Sequence, residues 1–118
     1  VLYDGSPFYP GPETLWTMAE RWRIEHFGTS AKYLALLEKQ GYRPRERHEL
    51  KALRQILSTG SPLAPQSFDF VEEAVKPGVH LASISGGTDI VSCFVLGNPL
   101  RAVRRGEIQG AGLGMDVQ

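Results

Sequence analysis

Leu81-Ala82-Ser83-Ile84-Ser85-Gly86-Gly87-Thr88-Asp89 is the stretch on which the fold turns. An apolar run too short for a helix passes directly into small and hydroxylic residues. The same grammar occurs twice upstream, where Ile24-Glu25-His26-Phe27 leads into Gly28-Thr29-Ser30, and Ile56-Leu57 into Ser58-Thr59-Gly60-Ser61. Short apolar runs bounded by turn residues read as buried strands. The stretches between them carry helical apolar spacing. Strands alternating with helices imply right-handed parallel crossovers and a layered α/β fold with a mostly parallel sheet. All three clusters would then emerge at one sheet edge, beyond the carboxyl ends of the strands, where open α/β sheets bind ligands.

Working outward, Pro12 and Glu13 suit the first turn of a helix, with Leu15, Ala19 and Trp22 on one face. Thr29 or Ser30 is placed to cap a second helix whose stripe is Ala31, Leu34 and Leu37, and Gly41 stops it. The segment Tyr42 to Glu49 is polar, and Pro44 breaks any helix there. A strand follows around Arg54 to Ser58. Pro62 and Pro65 can each start a third helix, carried by Phe68, Val71 and Val75 and stopped by Lys76-Pro77-Gly78. Val79 to Ile84 is the next strand, Ile90 to Leu96 is β-prone, and short strands are expected at Val1 to Tyr3 and Glu107 to Gln109.

Composition narrows the function. The chain has 118 residues, room for one domain with a modest core. Thirteen basic residues balance thirteen acidic ones, so no net field draws the chain to nucleic acid or to an anionic membrane. Cys93 is the lone cysteine and makes no internal disulfide, which points to a reducing compartment, the cytoplasm. No apolar stretch is long enough to span a bilayer, and no leader opens the chain. The absent initiator Met and the Gly-rich end at Gln118 read as an excerpt, incomplete at both ends.

Several motifs fail. No Gly-Lys-Ser/Thr ending completes a phosphate-binding loop. Gly110-Ala111-Gly112-Leu113-Gly114 approaches a dinucleotide fingerprint but has Met115 where the third glycine belongs. No Ser sits in a Gly-x-Ser-x-Gly elbow. His26, His48 and His80 lack metal-ligand spacing and read as satisfied or exposed histidines. Arg43, Arg45, Arg47 and Arg54 are interleaved with Glu46 and Glu49, the pattern of a solvated loop rather than a polyphosphate site. Ser85-Gly86-Gly87-Thr88-Asp89 reads either as a plain turn or as an anion-facing loop. A turn needs the glycines, but not the hydroxyl and carboxylate that follow, and that pair can hold a phosphate oxygen and its Mg²⁺.

Val1-Leu2-Tyr3-Asp4-Gly5-Ser6-Pro7, Phe27-Gly28-Thr29-Ser30-Ala31-Lys32-Tyr33, Ile56-Leu57-Ser58-Thr59-Gly60-Ser61-Pro62-Leu63, Ile84 through Phe94, Arg105-Gly106-Glu107-Ile108-Gln109 and Gly112-Leu113-Gly114-Met115 follow one another in order. Together they resemble the acetoacetyl-CoA synthetase family, a branch of the adenylate-forming superfamily that includes other acyl-CoA synthetases, peptide-synthetase adenylation domains and firefly luciferase. The resemblance implies a segment of the large N-terminal domain of an ATP-dependent ligase. Such an enzyme activates acetoacetate on Mg-ATP as an acyl-adenylate and passes the acyl group to CoA. By position, Gly60, Ser61 and Pro62 match the loop against the adenine, and Ser85, Gly86 and Gly87 belong to the nucleotide-binding motif. Thr88 matches the threonine at the α-phosphate, and Asp89 matches the acid near Mg²⁺. Thr59 and Gly86 fall at the acyl pocket.

Two departures from the family pattern stand out. Ser85 occupies a position where members usually carry an adenine-stacking aromatic residue. Gly86 stands where acetate-activating relatives carry a Trp, an exchange that implies a deeper pocket for a four-carbon acid. The resemblance places the phosphate loop before Val1, and the ribose-binding Asp, the hinge and the catalytic Lys after Gln118, so none of the 118 residues is assigned the catalytic role. The isolated segment is expected to be inactive and to partner the rest of a parent chain. The alternatives are a segment of another acyl-CoA ligase or adenylation domain, and a non-catalytic nucleotide-binding fragment.

Overall fold

The computed structural model describes all residues, Val1–Gln118. Helix α1 (Thr14–Arg21) leads to strand β1 (His26–Ser30), which passes without a loop into α2 (Ala31–Lys39). Ser30 makes that abrupt change possible, because its Oγ accepts the Tyr33 N–H at 3.2 Å and caps the helix. At the other end of α2, Gly41 adopts φ +65°. Its N–H reaches the Glu38 carbonyl at 2.9 Å, and that of Tyr42 reaches the Leu37 carbonyl at 3.1 Å, which together close a Schellman motif. A 3₁₀ turn (Pro44–Glu46) precedes β2 (Gln55–Thr59). Helix α3 (Pro65–Phe70) starts on Pro65 and widens to π geometry over Val71–Val75, with the Lys76 N–H bonded to the Val71 carbonyl at 3.0 Å. β3 (His80–Ser83) completes a three-stranded parallel sheet in the order β1-β2-β3.

Register fixes which residues share a face. Phe27, Ile56 and Leu81 lie side by side across the sheet and are all buried. They join Leu34, Leu37, Phe68, Val71 and Val75 from α2 and α3 in one core. Trp16 of α1 stacks on Phe27 with ring centroids 4.8 Å apart. The opposite face carries the row Gly28, Leu57, Ala82.

The α/β class and the parallel sheet are as the sequence implies; the architecture after Ser83 is not. Strands β4 (Ser85–Gly87), β5 (Ser92–Leu96) and β6 (Gly110–Ala111) form a second, antiparallel sheet. Ser85, Gly86 and Gly87 are thus a strand and not a loop, with a bulge between Ser85 and Gly86. The final strand falls on Gly110–Ala111 and not on Glu107 to Gln109, and Val1 to Tyr3 is not a strand. The buried stripe of α1 is also rotated by a residue. Trp16 and Ala19 are buried, whereas Trp22 has left the helix as its cap and is half exposed.

Candidate functional site

The carboxyl ends of β2 and β3 open into a groove of about 410 Å³. Thr59, Gly60, Ser61, Pro62 and Leu63 form one wall, Ser83, Ile84, Ser85 and Gly86 the other, and Gly106 and Ile108 close it. The Ile84 N–H donates to the Ser58 carbonyl at 2.9 Å, carrying the β2–β3 ladder one step past the sheet and holding the two walls together. Gly60 adopts φ +86°, which turns the chain away from the strand end, and a side chain there would meet nothing within 4 Å. No charged side chain lines the groove. Its polar side chains are the hydroxyls of Thr59, Ser61, Ser83 and Ser85.

Thr59, Gly60, Ser61, Pro62, Ser85 and Gly86 are therefore brought together, and Gly87, Thr88 and Asp89 are not. All three are exposed; Gly87 ends β4, and Thr88 and Asp89 follow it in the turn of the β4–β5 hairpin, where the Thr88 carbonyl accepts the Val91 N–H at 3.1 Å. No set of three His, Cys, Asp or Glu side chains gathers anywhere in the chain, so Asp89 offers one carboxylate alone. The first cluster reaches the same sheet edge, since Ser30 pairs with Thr59, but its residues do not line the groove and the Ser30 hydroxyl is used by α2.

Gly86 has a structural reason to be glycine. A Cβ there would lie 2.5 Å from the Ser92 carbonyl oxygen and 2.8 Å from the Cys93 Cα, so the close β4–β5 approach excludes a side chain. Sequence reading passes over Ser83, Ile84, Gly106 and Ile108, which all line the groove. The signal for Ser83 was its register. Thr29, Ser58 and Ser83 form one row across the three strands, and the latter two hydroxyl residues are buried.

Arg43 and Arg45, expected in a solvated loop, and Arg105 on a later segment have protein partners. Arg43 pairs with Glu46 at 2.6 Å, Arg43 and Arg45 donate to the Glu73 carbonyl at 3.1 and 2.9 Å, and Arg105 meets Asp69 at 2.8 Å. His48 is a satisfied histidine, with Nε2 2.7 Å from the Tyr42 hydroxyl and Nδ1 3.3 Å from Glu20. No helix is long and apolar enough to cross a membrane.

No protein-family profile matches the chain. Relatives are nonetheless clear. The chain is 60% identical to the acetoacetyl-coenzyme A synthetase of Rhizobium meliloti over 116 residues, which is 98% of this chain and 18% of that protein. It is 52% identical over its full length to the acetoacetyl-CoA synthetase of Danio rerio, again spanning 18% of the relative. The solved acetoacetyl-CoA synthetase from Streptomyces lividans superposes with a TM-score of 0.87 at 42% identity, over 97% of this chain and 18% of the other. The chain thus spans less than a fifth of the length of the relatives it matches. In sequence and in fold, it resembles from end to end one segment of the acetoacetyl-CoA synthetases.

Proposed function

We propose that this chain supplies one side of the nucleotide and acyl site of an ATP-dependent acetoacetate–CoA ligase. The carrying observation is the groove at the β2 and β3 ends, uncharged and walled by Thr59, Gly60, Ser61, Ser83 and Ser85, in a chain 60% identical to an acetoacetyl-coenzyme A synthetase segment. An uncharged slot between the turn after β2 and the start of β4 suits a flat, neutral group such as a purine better than a bare phosphate. Hydroxyls of Ser61, Ser83 and Ser85 are available for its polar edge. Thr88 and Asp89, at the tip of the next hairpin, are placed on the reading to meet the α-phosphate. With one carboxylate in reach, Mg²⁺ would be held chiefly by the phosphates of the nucleotide and by water.

In the proposed reaction the acetoacetate carboxylate attacks the α-phosphorus and pyrophosphate departs. The CoA thiol, losing its proton, then attacks the acyl carbonyl of the mixed anhydride and displaces AMP. On this reading the segment's part is to bind and orient the nucleotide. Cytoplasmic residence belongs to the same reading, consistent with the single unpaired cysteine.

A graft tests it. The Streptomyces lividans acetoacetyl-CoA synthetase is rebuilt with these 118 residues in place of its corresponding segment, and acetoacetate-dependent ATP–pyrophosphate exchange is measured. Exchange at a rate within tenfold of the parent enzyme is expected. A folded graft that exchanges faster with another short acid would point to a different acyl-CoA ligase. A folded graft inert with every acid would end the reading.

A further inference from the structure

His26, Gln55 and His80 open β1, β2 and β3 at paired register positions. Their side chains form an unbroken polar line across the sheet that ends on Gln109, a buried residue of the segment leading into β6. His26 Nδ1 is 3.1 Å from Gln55 Oε1, Gln55 Nε2 is 2.8 Å from His80 Nδ1, and His80 Nε2 is 2.8 Å from Gln109 Oε1.

The sense of this line follows from backbone groups whose roles cannot change. Gln109 Nε2 faces two carbonyls, Asn98 at 3.1 Å and Arg101 at 2.7 Å, and Gln109 Oε1 faces the Asn98 N–H at 3.0 Å. Rotating the amide would set oxygen against two oxygens and N–H against N–H, so it is fixed. Gln109 Oε1 must then accept from His80, so a neutral His80 ring carries its proton on Nε2 and leaves Nδ1 as acceptor. Gln55 must donate to that nitrogen, and its own oxygen accepts from His26 Nδ1–H. Two carbonyls and one N–H thus decide the state of four side chains.

The place of Gln109 gives the line a purpose. Its partners Asn98 and Arg101 follow β5, and its chain neighbours are Ile108, which lines the groove, and Gly110, which opens β6. β5 pairs in turn with β4, which supplies the Ser85 and Gly86 wall. We infer that Gln109 is a positioning residue, which reads the edge of the parallel sheet through His80 and sets the antiparallel sheet, and with it one wall of the groove, in place. None of this depends on what the groove binds.

The test starts on the unaltered 118-residue chain, labelled with ¹⁵N and observed by long-range ¹⁵N–¹H correlation at mildly alkaline pH. His80 should show a single neutral tautomer protonated on Nε2. An Nδ1-protonated ring, or an averaged mixture, overturns the inference. Gln109→Leu should then shift the backbone amides of Ser85, Gly86 and Ile108 and release His80 to a tautomer mixture, while α1 and α2 stay unchanged. Shifts confined to Asn98, Arg101 and the mutated site itself would overturn the positioning role. Should Gln109→Leu not fold, Gln109→Glu is read in its place. It keeps both accepting contacts and loses both donations, so the Ser85 and Gly86 amides should still move, and their constancy would be equally fatal.

Discussion

Gly97 lies so close over Ala82 that a Cβ on the glycine would stand 2.5 Å from the Ala82 Cβ, with His80 Cε1 at 3.1 Å and Gln109 Oε1 at 3.2 Å. This is where the end of β5 rests on the second face of the parallel sheet. Gly97→Ala should therefore cost about 1–3 kcal/mol of unfolding free energy, the usual range for an overpacked site. Ala82→Gly introduced beside it should restore part of that loss, because the two changes share one small space. Urea unfolding of both single variants and of the double variant gives the coupling. Strict additivity would mean that the two residues do not share a packed contact.

Gly86 bears on the substrate argument. The family resemblance implies that its lack of a side chain deepens an acyl pocket, in contrast to acetate-activating relatives with Trp there. The hairpin offers another cause, since Ser92 and Cys93 backbone atoms occupy the space a Cβ needs. Gly86→Ala should loosen β4 from β5 and raise hydrogen-exchange rates of the hairpin amides, with β1 to β3 unaffected. Unchanged exchange in a folded variant would show that the hairpin yields at little cost, and the pocket reading of Gly86 would regain its force.

What the sequence made legible follows from how local each signal is. The parallel core could be read because each of its strands is a short apolar run ended by hydroxyl and glycine residues. The signals that start and stop α2, Ser30 and Gly41, act within one turn. The antiparallel sheet depends on pairing between segments such as Val95 with Ala111, sixteen positions apart, and on the absence of Cβ atoms at Gly86, Gly97 and Gly112, which local pattern does not distinguish from turn formation. The groove was half legible for the same reason. Thr59, Gly60 and Ser61 follow their strand directly, whereas Gly106 and Ile108 arrive from a distant segment that shows no periodicity.

Glu20 ties α1 to the segment before β2. Its Oε1 accepts the Glu49 N–H at 3.0 Å and its Oε2 faces His48 Nδ1 at 3.3 Å. The backbone hydrogen bond from Glu49, and then the bond from His48, hold its carboxyl below the ordinary 4.5. A carboxyl whose folded value is depressed adds stability above its unfolded value and loses it as pH falls through the folded one. Glu20→Gln should therefore melt below the unaltered chain at neutral pH, and the gap should close as the pH is brought below 4.5. Melting curves across that interval check it. A gap independent of pH would mean that the ionised carboxyl does not contribute.

Thr88 and Asp89 separate the two readings of the hairpin tip. Both are exposed, and neither side chain bonds to another part of the chain, so Thr88→Ala and Asp89→Ala should each change stability by no more than about 0.5 kcal/mol. In the grafted ligase the same substitutions should slow acetoacetate-dependent pyrophosphate exchange. Losing a hydrogen bond to a charged phosphate, or a carboxylate near its cation, removes about 1.5–3 kcal/mol of transition-state stabilisation. If, as proposed, Gly60, Ser61 and Pro62 hold the nucleotide, the loss should fall mainly on kcat, with the KM for ATP changed less. Parallel losses of melting temperature and activity would instead identify the tip as a structural turn. An unaltered rate in both variants would remove these residues from the site and leave the groove as the only part of the segment facing the nucleotide.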